Sequence, residues 1–340
     1  MSVQSFTRGP ASALLLLNFG RERGLSTARL LAGSGLSLAQ LQNPDSLLAA
    51  DQELQLASNL LQLLGHPPGL GYVIGARYRF SSYGLFGYGL ISSATAADAL
   101  GLALRFLPLT YAFAGIGYRL EVELGVLTFD PPQVADARVR EFLLQRDMAV
   151  AAVLMQEIVG EDFSLAGFTR SGAAPREAVA TQGILGLAPV YRANGHSLAF
   201  ARHFLARALP QANPLTVAMC EQLCQQLLER RQAHLGMAAL VLQHLDAGPA
   251  DAPPDLPGMA RLLHTSARTL KRRLQEEGSS YRQLLARQRS ARALAMLGNP
   301  GLSLTQIAER LGFSDLSSFS QSFKRWFGVA PSHYRQGPPG

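Results

Sequence analysis

The sequence predicts two domains: an α+β domain over about the first 210 residues, and an all-α domain with two helix-turn-helix units joined by a long helix. Three observations predict this. With 340 residues, 48% of them apolar, the chain can form more than one hydrophobic core. Segment 247–258 contains four prolines and two glycines, so neither a helix nor a strand continues through it. The net charge of +7 lies entirely within residues 250–340.

The elements of the first domain are predicted from apolar spacing. Helices show apolar residues at steps of three and four, whereas strands alternate apolar and polar residues. Thr95, for example, is a good helix N-cap, and Pro108 prevents that helix from continuing. In chain order the spacing predicts helices over 26–64, 95–106, 137–159 and near 176–185, and strands over 111–120, 121–129, 163–169 and 197–201. This mixture is typical of an α+β fold.

A helical pattern over 214–246 follows, with leucines at helical spacing and charged residues between them. Such a segment either pairs with a second copy of the chain or caps its own domain. A neutral large part joined to a basic small part suggests a sensing or assembly domain attached to a domain that binds a polyanion. The predicted divisions are a sensing domain (1–213), a connecting or dimerisation segment (214–246), a linker (247–257), a double helix-turn-helix domain (258–336) and a disordered tail (337–340).

The clearest local pattern is LTQIAERLGFSDLSSFSQSFKRWFGVAPSHYR at 304–335. Ser303 is an N-cap candidate with Gln306 three residues later, and Gly312 can adopt the left-handed conformation that ends a helix. In the second helix the residues predicted to face inward are Leu316, Phe319, Phe323, Trp326 and Phe327. Two short helices joined by a turn with glycine are typical of a helix-turn-helix.

A similar unit, MARLLHTSARTLKRRLQEEG, lies at 259–278. Ala260 occupies the place of Ala308, where the two helices of each unit cross. Residues 279–297 between the units are predicted to form one helix, apolar on one side and rich in arginine on the other. A rigid joining helix would allow both units to enter successive major grooves on one face of a DNA duplex.

Residues 256–335 resemble the DNA-binding domain of AraC/XylS-type transcription regulators. The resemblance rests on both units, on Ala291-Arg292-Ala293 in the joining helix, and on the pattern IA…LGF…F…FKR…FG…P…YR within 307–335. The rest resembles the ligand-sensing half of the branch that includes ornithine-utilisation and virulence regulators, through GSGL, NLL, GLFGY and LPL at 33–36, 59–61, 84–88 and 107–109. The resemblance implies a transcription regulator, more commonly an activator, that works with RNA polymerase and responds to a small-molecule effector.

The resemblance and the helical facing together assign DNA contacts. The residues expected to face bases are Arg268, Lys271 and Arg272 in the first unit and Ser317 and Gln321 in the second; those expected to hold phosphate are Arg273, Lys324 and Arg325. An arginine that pairs with guanine contributes ~1–3 kcal/mol of discrimination. Phosphate contact alone is the alternative for each basic residue of the first unit. The first unit, being more basic, is expected to dominate affinity.

One position departs from the family pattern. His264 stands in the turn of the first unit, where the family usually has glycine. A residue with a side chain there costs little if the backbone stays right-handed, and ~1 kcal/mol if it must be left-handed.

The first domain is expected to bind an apolar or amphipathic effector, because leucine, glycine and aromatic residues concentrate over 72–88 and 111–118. It contains no lysine, so an effector carboxylate would need an arginine. The candidates are Arg77, Arg79, Arg105 and Arg119. Each of these arginines is more often a solvated residue or part of a structural ion pair. We hypothesise an amphipathic acid or an amino acid as the effector.

Two other function classes are disfavoured. For an enzyme, the glycines of 69–75 miss the dinucleotide-binding spacing by one residue, and no serine or cysteine lies in a nucleophile motif. No catalytic residue, metal site or cofactor is predicted, and Cys220 and Cys224 are interpreted as buried small residues. An architectural DNA binder without an effector is the second alternative, but the large apolar domain argues against it.

A membrane location is also disfavoured. The apolar run 13–17 is far shorter than the roughly 20 residues of a membrane span. Asn18 interrupts it, and the charged residues at 21–23 follow without a small-residue cleavage pattern. The expected location is the cytoplasm, and a homodimer is the expected state.

Overall fold

The computed structural model describes residues 7–174, 181–192, 195–233, 236–248, 252–297 and 301–335. The chain forms two compact units that divide between Arg231 and Gln232. In the described residues the N-terminal unit is α+β, and the C-terminal unit contains only helices. The predicted fold class is therefore confirmed.

The N-terminal unit combines helices with a five-stranded sheet. Its α-helices are α1 (Ala11–Glu22), α2 (Thr27–Leu31), α3 (Leu38–Gln42), α4 (Ala50–Leu63), α5 (Leu70–Gly75), α6 (Gly84–Ile91), α7 (Ala96–Arg105), α8 (Ala137–Val159), α9 (Gln182–Leu185) and α10 (Pro214–Ala233). Its strands are β1 (Thr7–Arg8), β2 (Leu48–Ala49), β3 (Gly115–Leu120), β4 (Leu124–Asp130), β5 (Leu165–Ser171), β6 (Val190–Arg192) and β7 (His196–Ala201). The sheet order is β3-β4-β7-β5-β6, with only β5 and β6 parallel. β1 and β2 form a separate antiparallel pair.

Helix α8 joins the two cores of this unit. One face, with Phe142 and Leu143, packs among α1 and α4. The other face, with Met148 and Met155, packs against the sheet and Phe200. Since α8 contributes apolar side chains to both cores, it is buried on two sides.

Helix α5 lies unusually close to α8 because two glycines face it. A Cβ atom added to Gly75 would lie 2.5 Å from the Arg146 carbonyl oxygen and 2.6 Å from Ala149 Cβ. One added to Gly71 would overlap the backbone of Phe142. The glycines over 69–75 thus allow two helices to approach closely.

The helical pattern over 26–64 proves to be three helices, α2, α3 and α4. Between α2 and α3, Gly33 and Gly35 have φ angles of +69° and +66°, a conformation that no helix residue adopts. Ser37 then caps α3 in a capping box with Gln40. By contrast, α8 has the predicted bounds, and the Thr95 cap of α7 is confirmed. Part of the helix predicted near 176–185 lies outside the described residues.

The C-terminal unit contains α11 (Met237–Ala247), α12 (Leu256–Leu262), α13 (Ala267–Glu276), α14 (Tyr281–Leu297), α15 (Leu304–Arg310), α16 (Leu316–Phe327) and α17 (Pro331–Arg335). It has two cores. The first unites α11 with α12, α13 and the start of α14, and the second unites the end of α14 with α15 and α16. Since α14 contributes Leu284 to one core and Leu297 to the other, it is the predicted joining helix.

The pattern over 214–246 is two helices, and the second of them, α11, packs within the C-terminal unit. Its Val241 is fully buried in the first core. The Glu277 carboxylate accepts hydrogen bonds from the backbone N–H groups of Met237 and Ala238, at 2.5 and 2.8 Å. Arg292 Nη2 donates to three carbonyl oxygens at the other end of α11. An anion at the start of a helix and a cation at its end both interact favourably with the helix dipole, so Glu277 and Arg292 stabilise α11.

Candidate nucleic-acid interface and ligand cavity

Helix α13 presents a cationic face and buries the opposite one. Leu270 and Leu274 have no exposed surface. The four basic residues assigned to DNA in this helix, Arg268, Lys271, Arg272 and Arg273, are all exposed. Ser266 caps the helix by accepting from the backbone N–H of Thr269 at 3.1 Å. The Arg272 guanidinium lies 2.5 Å from a carboxylate oxygen of Glu276, one turn further along.

Helix α16 also has one buried apolar face and one exposed polar face, but its exposed face carries fewer basic residues. Phe319 and Phe323 are fully buried, and the residues assigned to DNA, Ser317, Gln321, Lys324 and Arg325, are exposed. Asp315 caps the helix by accepting from the Ser318 backbone N–H at 2.7 Å. That bond is the main reason why the pKa of Asp315 is lowered.

Two details of α16 refine the sequence prediction. Leu316, predicted to face inward, is 37% exposed. Trp326 is part of the second core, with its ring 6.1 Å from that of Phe313 and 6.4 Å from that of Phe327. Its indole N–H is buried and has no hydrogen-bond partner among the described residues. Trp326 therefore packs, while the polar side chains of the helix face outward.

The turns of the two units have the same backbone geometry. In the first, the N–H of Thr265 donates to Ala260 O at 2.9 Å, and in the second the N–H of Phe313 donates to Ala308 O at 3.0 Å. These bonds close a Schellman motif around a left-handed residue. That residue is Gly312, with φ +70°, in the second unit and His264, with φ +49°, in the first.

The joining helix also holds the turn of the second unit. Arg289 Nη2 donates to Gly312 O at 3.2 Å, and its guanidinium lies 4.9 Å from the centre of the Phe313 ring. This contact, together with the shared cores, fixes α15 against α14. Two capped helix pairs on one rigid helix, each with an exposed polar second helix, have the architecture that inserts helices into major grooves.

The N-terminal unit contains a cavity between its helices and its sheet. Its volume is about 90 Å³. Its wall is mostly aliphatic and aromatic, with side chains from α6, α7, α8, β3 and β4 and from the segment 107–112.

One end of the cavity is formed by a buried ion network on α8. Arg146 is 1% exposed and Asp147 is 3% exposed. Arg146 Nε and Nη2 donate to Asp147 Oδ1 at 3.0 and 2.9 Å, and its Nη1 donates to Glu53 Oε1 at 3.0 Å. Asp147 Oδ2 accepts from the backbone N–H groups of Phe113 and Ala114. Burial opposes the charge of Arg146, but the carboxylates beside it keep its pKa above the ordinary value.

Family models match both units. Residues 24–209, more than half of the chain, match the family described as the arabinose-binding N-terminal domain of AraC transcription regulators. Residues 259–337 match a helix-turn-helix domain family. The chain belongs to the AraC family of transcription regulators.

Relatives match this chain over nearly its whole length. The AraC-family chain is 34% identical over 331 residues to an uncharacterized HTH-type transcriptional regulator of Mycobacterium tuberculosis, with 94% of each chain covered. It is 33% identical over 335 residues to the ornithine utilization regulator of Pseudomonas aeruginosa, with 96% of each covered. The crystal structure of the transcriptional regulator CdpR from the same organism is 23% identical, covering 96% of this chain and 98% of that one with a TM-score of 0.49.

The family assignment confirms three predictions. The chain is a DNA-binding transcription regulator, its N-terminal unit is of an effector-binding type, and its relatives are regulators rather than enzymes. In the described part of the chain, no helix is both long and apolar enough to span a membrane, and no cluster of side chains could hold a metal ion. Cys220 and Cys224 are buried, as predicted, and do not form a disulfide.

A second buried polar cluster resembles a hydrolase dyad but has the wrong tautomer. Ser171 Oγ lies 2.9 Å from His196 Nε2. Arg170 Nε donates to His196 Nδ1 at 3.1 Å, so the single ring proton lies on Nε2 and points at the serine. A histidine in this state cannot accept the serine proton. Burial, followed by the charge of Arg170, lowers the pKa of His196 to about 4.

The four arginines considered for effector binding all lie at the surface. Arg77, Arg79, Arg105 and Arg119 pair with Glu22, Glu157, Glu221 and Glu121, respectively. None of them lines the cavity. The arginine that does line it, Arg146, was not considered from the sequence. A signal existed, because an adjacent Arg-Asp pair lies in the middle of a long helix that is rich in apolar residues.

Proposed function

We propose that this regulator inserts α13 and α16 into successive major grooves of duplex DNA, and that a small molecule held in the N-terminal cavity controls this binding. The observation that carries the DNA proposal is the sidedness of both helices. Leu270 and Leu274 in α13, and Phe319 and Phe323 in α16, are fully buried, while every residue assigned to DNA is exposed. The first unit supplies most of the affinity, because its face carries four cations and the second carries two.

Gel-shift titrations at fixed salt test whether the first unit contributes more to DNA affinity than the second. Arg272→Ala is expected to weaken binding more than Gln321→Ala, since it removes both a base contact worth ~1–3 kcal/mol and a positive charge. Arg310→Ala is the matched control, because Arg310 is exposed on α15, outside both DNA-facing surfaces. Equal losses for the variants at 272 and 321 would contradict a dominant first unit.

The regulator also acts as a homodimer in this proposal, with α10 as the contact. Four apolar residues recur at steps of four along this helix and are exposed by 83%, 56%, 36% and 41%: Leu215, Met219, Leu223 and Leu227. A neighbouring face of the same helix buries Cys220 and Cys224. The helix thus caps its own unit with one face and leaves an apolar stripe on another, which suits a symmetric contact with a second copy.

Sedimentation velocity tests the dimer. Leu223→Glu places a charge in the middle of the stripe and is expected to shift the protein to a monomer. Gln225→Glu adds the same charge on a different face of α10 and is expected to remain dimeric. If both variants sediment as the unchanged protein does, the contact lies elsewhere.

Activation through RNA polymerase is the proposed outcome of DNA binding. The family habit supports it, and transcription in vitro with purified RNA polymerase tests it. Footprinting on DNA beside its own gene, with and without candidate metabolites, would give the site, the half-site spacing and the ligand response together. A footprint with little sequence preference and no ligand response would favour an architectural protein instead.

A further inference from the structure

We infer that the ligand of the N-terminal cavity is uncharged and mostly apolar, with a single hydroxyl or carbonyl group that meets Tyr83. This inference rests on the proposal that the cavity is the effector site. It replaces the amphipathic acid or amino acid considered from the sequence. Three features of the described residues lead to it: the balance of charge at the polar end of the cavity, the internal hydrogen bonds of most polar side chains on its wall, and the hydroxyl of Tyr83, which makes no hydrogen bond to another described residue.

The charges at the polar end cancel. Two cations, Arg8 and Arg146, lie beside two anions, Glu53 and Asp147, and all four residues are at most 4% exposed. Arg8 Nη1 is 3.7 Å from Glu53 Oε2, and Arg146 bonds both carboxylates. A carboxylate entering the cavity would meet no net positive charge, and its desolvation would cost several kcal/mol. An ammonium group would meet the same difficulty.

The hydrogen-bonding groups on the wall are mostly used within the protein. Arg146 already makes four hydrogen bonds, the fourth from Nη2 to the Tyr111 carbonyl oxygen at 2.6 Å. The hydroxyl of Tyr78 pairs with Ser12 at 2.6 Å. Thr110 Oγ1 donates to the Leu107 carbonyl oxygen at 2.7 Å and accepts from a backbone N–H.

A sugar is therefore a poor ligand, although the matching family is described as arabinose-binding. A sugar carries hydroxyl groups on nearly every carbon, and each one buried without a partner costs ~1–3 kcal/mol. The wall around it would be side chains such as Leu104, Ile116, Leu127 and Met155. An aliphatic or aromatic body gains from the same wall by removal from water.

Tyr83 supplies the polar contact for such a ligand. It lines the cavity, and its hydroxyl has no hydrogen-bond partner among the described residues. Its ring is fixed by contacts with Tyr78, Phe86 and Tyr111, at centroid distances of 5.3 to 6.3 Å. Burial raises the pKa of Tyr83 well above its ordinary value, so the hydroxyl remains a neutral donor.

A series of eight-carbon probes with different head groups tests the charge argument on the full-length protein. Calorimetric titration with 1-octanol, octanoate and octylammonium at pH 7 is expected to give a Kd for octanol at least tenfold below those of both ions. L-Arabinose is expected to show no binding. If octanoate or arabinose binds more tightly than octanol, or if octanol does not bind, the inference is wrong.

Two pairs of variants locate the bound probe. Ala103→Phe fills the cavity and is expected to abolish octanol binding, whereas Ala97→Phe, on an exposed face of the same helix, is expected to bind octanol normally. Tyr83→Phe is expected to weaken octanol about 2–10-fold and to leave binding of n-octane unchanged. Octanol binding that survives Ala103→Phe would overturn the assignment.

Gel shifts with octanol separate this inference from the proposed function. If octanol binds in the cavity and changes DNA affinity, the result supports both the inferred ligand class and the proposed effector control. If it binds there without any effect on DNA affinity, the ligand class stands and the proposed effector control fails.

Discussion

The close contact between α5 and α8 gives a sharp prediction about the stability of the N-terminal unit. Gly75→Ala adds one methyl group, which would lie 2.5 Å from the Arg146 carbonyl oxygen and 2.6 Å from Ala149 Cβ. Ordinary contacts of a Cβ atom are longer by more than half an ångström. Both neighbours belong to α8, which is packed on two sides, so the helix cannot move away freely.

The magnitude follows from comparing two chemically identical substitutions. Overpacking of this kind costs ~1–3 kcal/mol, and we expect the upper end because the obstacle is backbone. Gly101 lies within α7, is exposed, and has no atom within 4 Å of a built Cβ. Gly101→Ala should therefore raise the free energy of unfolding of the N-terminal unit by ~0.5–1 kcal/mol, since alanine loses less backbone freedom than glycine when a helix forms. The two variants should thus differ by about 3–4 kcal/mol in the free energy of unfolding.

Urea unfolding measures both variants and supplies an internal control. The single tryptophan, Trp326, lies in the C-terminal unit, so its fluorescence reports that unit alone. With a slope of ~2 kcal/mol per molar urea, Gly75→Ala should lower the midpoint seen by far-UV circular dichroism by more than 1 M. The tryptophan transition should not move. A Gly75→Ala midpoint at or above that of Gly101→Ala would refute the packing argument.

Three further predictions concern single residues. His264→Gly should stabilise the C-terminal unit by about 0.5–1 kcal/mol in urea unfolding, because it relieves a left-handed backbone but adds backbone freedom to the unfolded chain; a loss of stability would contradict this. Glu276→Gln releases Arg272 and should tighten DNA binding about 2–10-fold at low salt in gel shifts, with a smaller gain at high salt. The pKa of His196 in the folded protein is about 4, below the ordinary 6.5. Between these two pH values the unfolded state therefore binds more protons than the folded state. The free energy of unfolding should fall by on the order of 2 kcal/mol as the pH drops from 6.5 to 4. In thermal unfolding, His196→Asn should reduce the fall of the melting temperature between pH 6.5 and 4, whereas His203→Asn, at an exposed position, should not. If the melting temperatures of all three proteins fall equally over this range, His196 is not the cause.

The helix-turn-helix domain could be predicted in detail because its signals are local. The cap at Ser303, the capping box with Gln306 and the left-handed turn at Gly312 are confirmed. Each depends on residues within four positions of one another, so a short stretch of sequence is sufficient. The departure at His264 was also visible, but the sequence left open which backbone conformation it adopts.

The positions at which long helical patterns break into separate helices were harder to predict. One helical pattern over 26–64 became three helices, and one over 214–246 became two, because apolar spacing continues across positions where the backbone turns. The glycines over 69–75 could be compared with a nucleotide-binding loop, but nothing local shows that two of them face another helix just over 70 residues later in the chain.

The two helix-turn-helix units could be predicted from the sequence, since caps, turns and sidedness are properties of neighbouring residues, and the motifs that resemble AraC-type regulators indicated the family. Which arginine lies at the cavity, by contrast, depends on the fold. Arg77, Arg79, Arg105 and Arg119 looked equally suitable, and all of them lie at the surface. Arg146 is neutralised by Asp147 beside it and by Glu53, 93 residues away. The net charge of a buried site depends on partners that the fold brings together from distant parts of the chain.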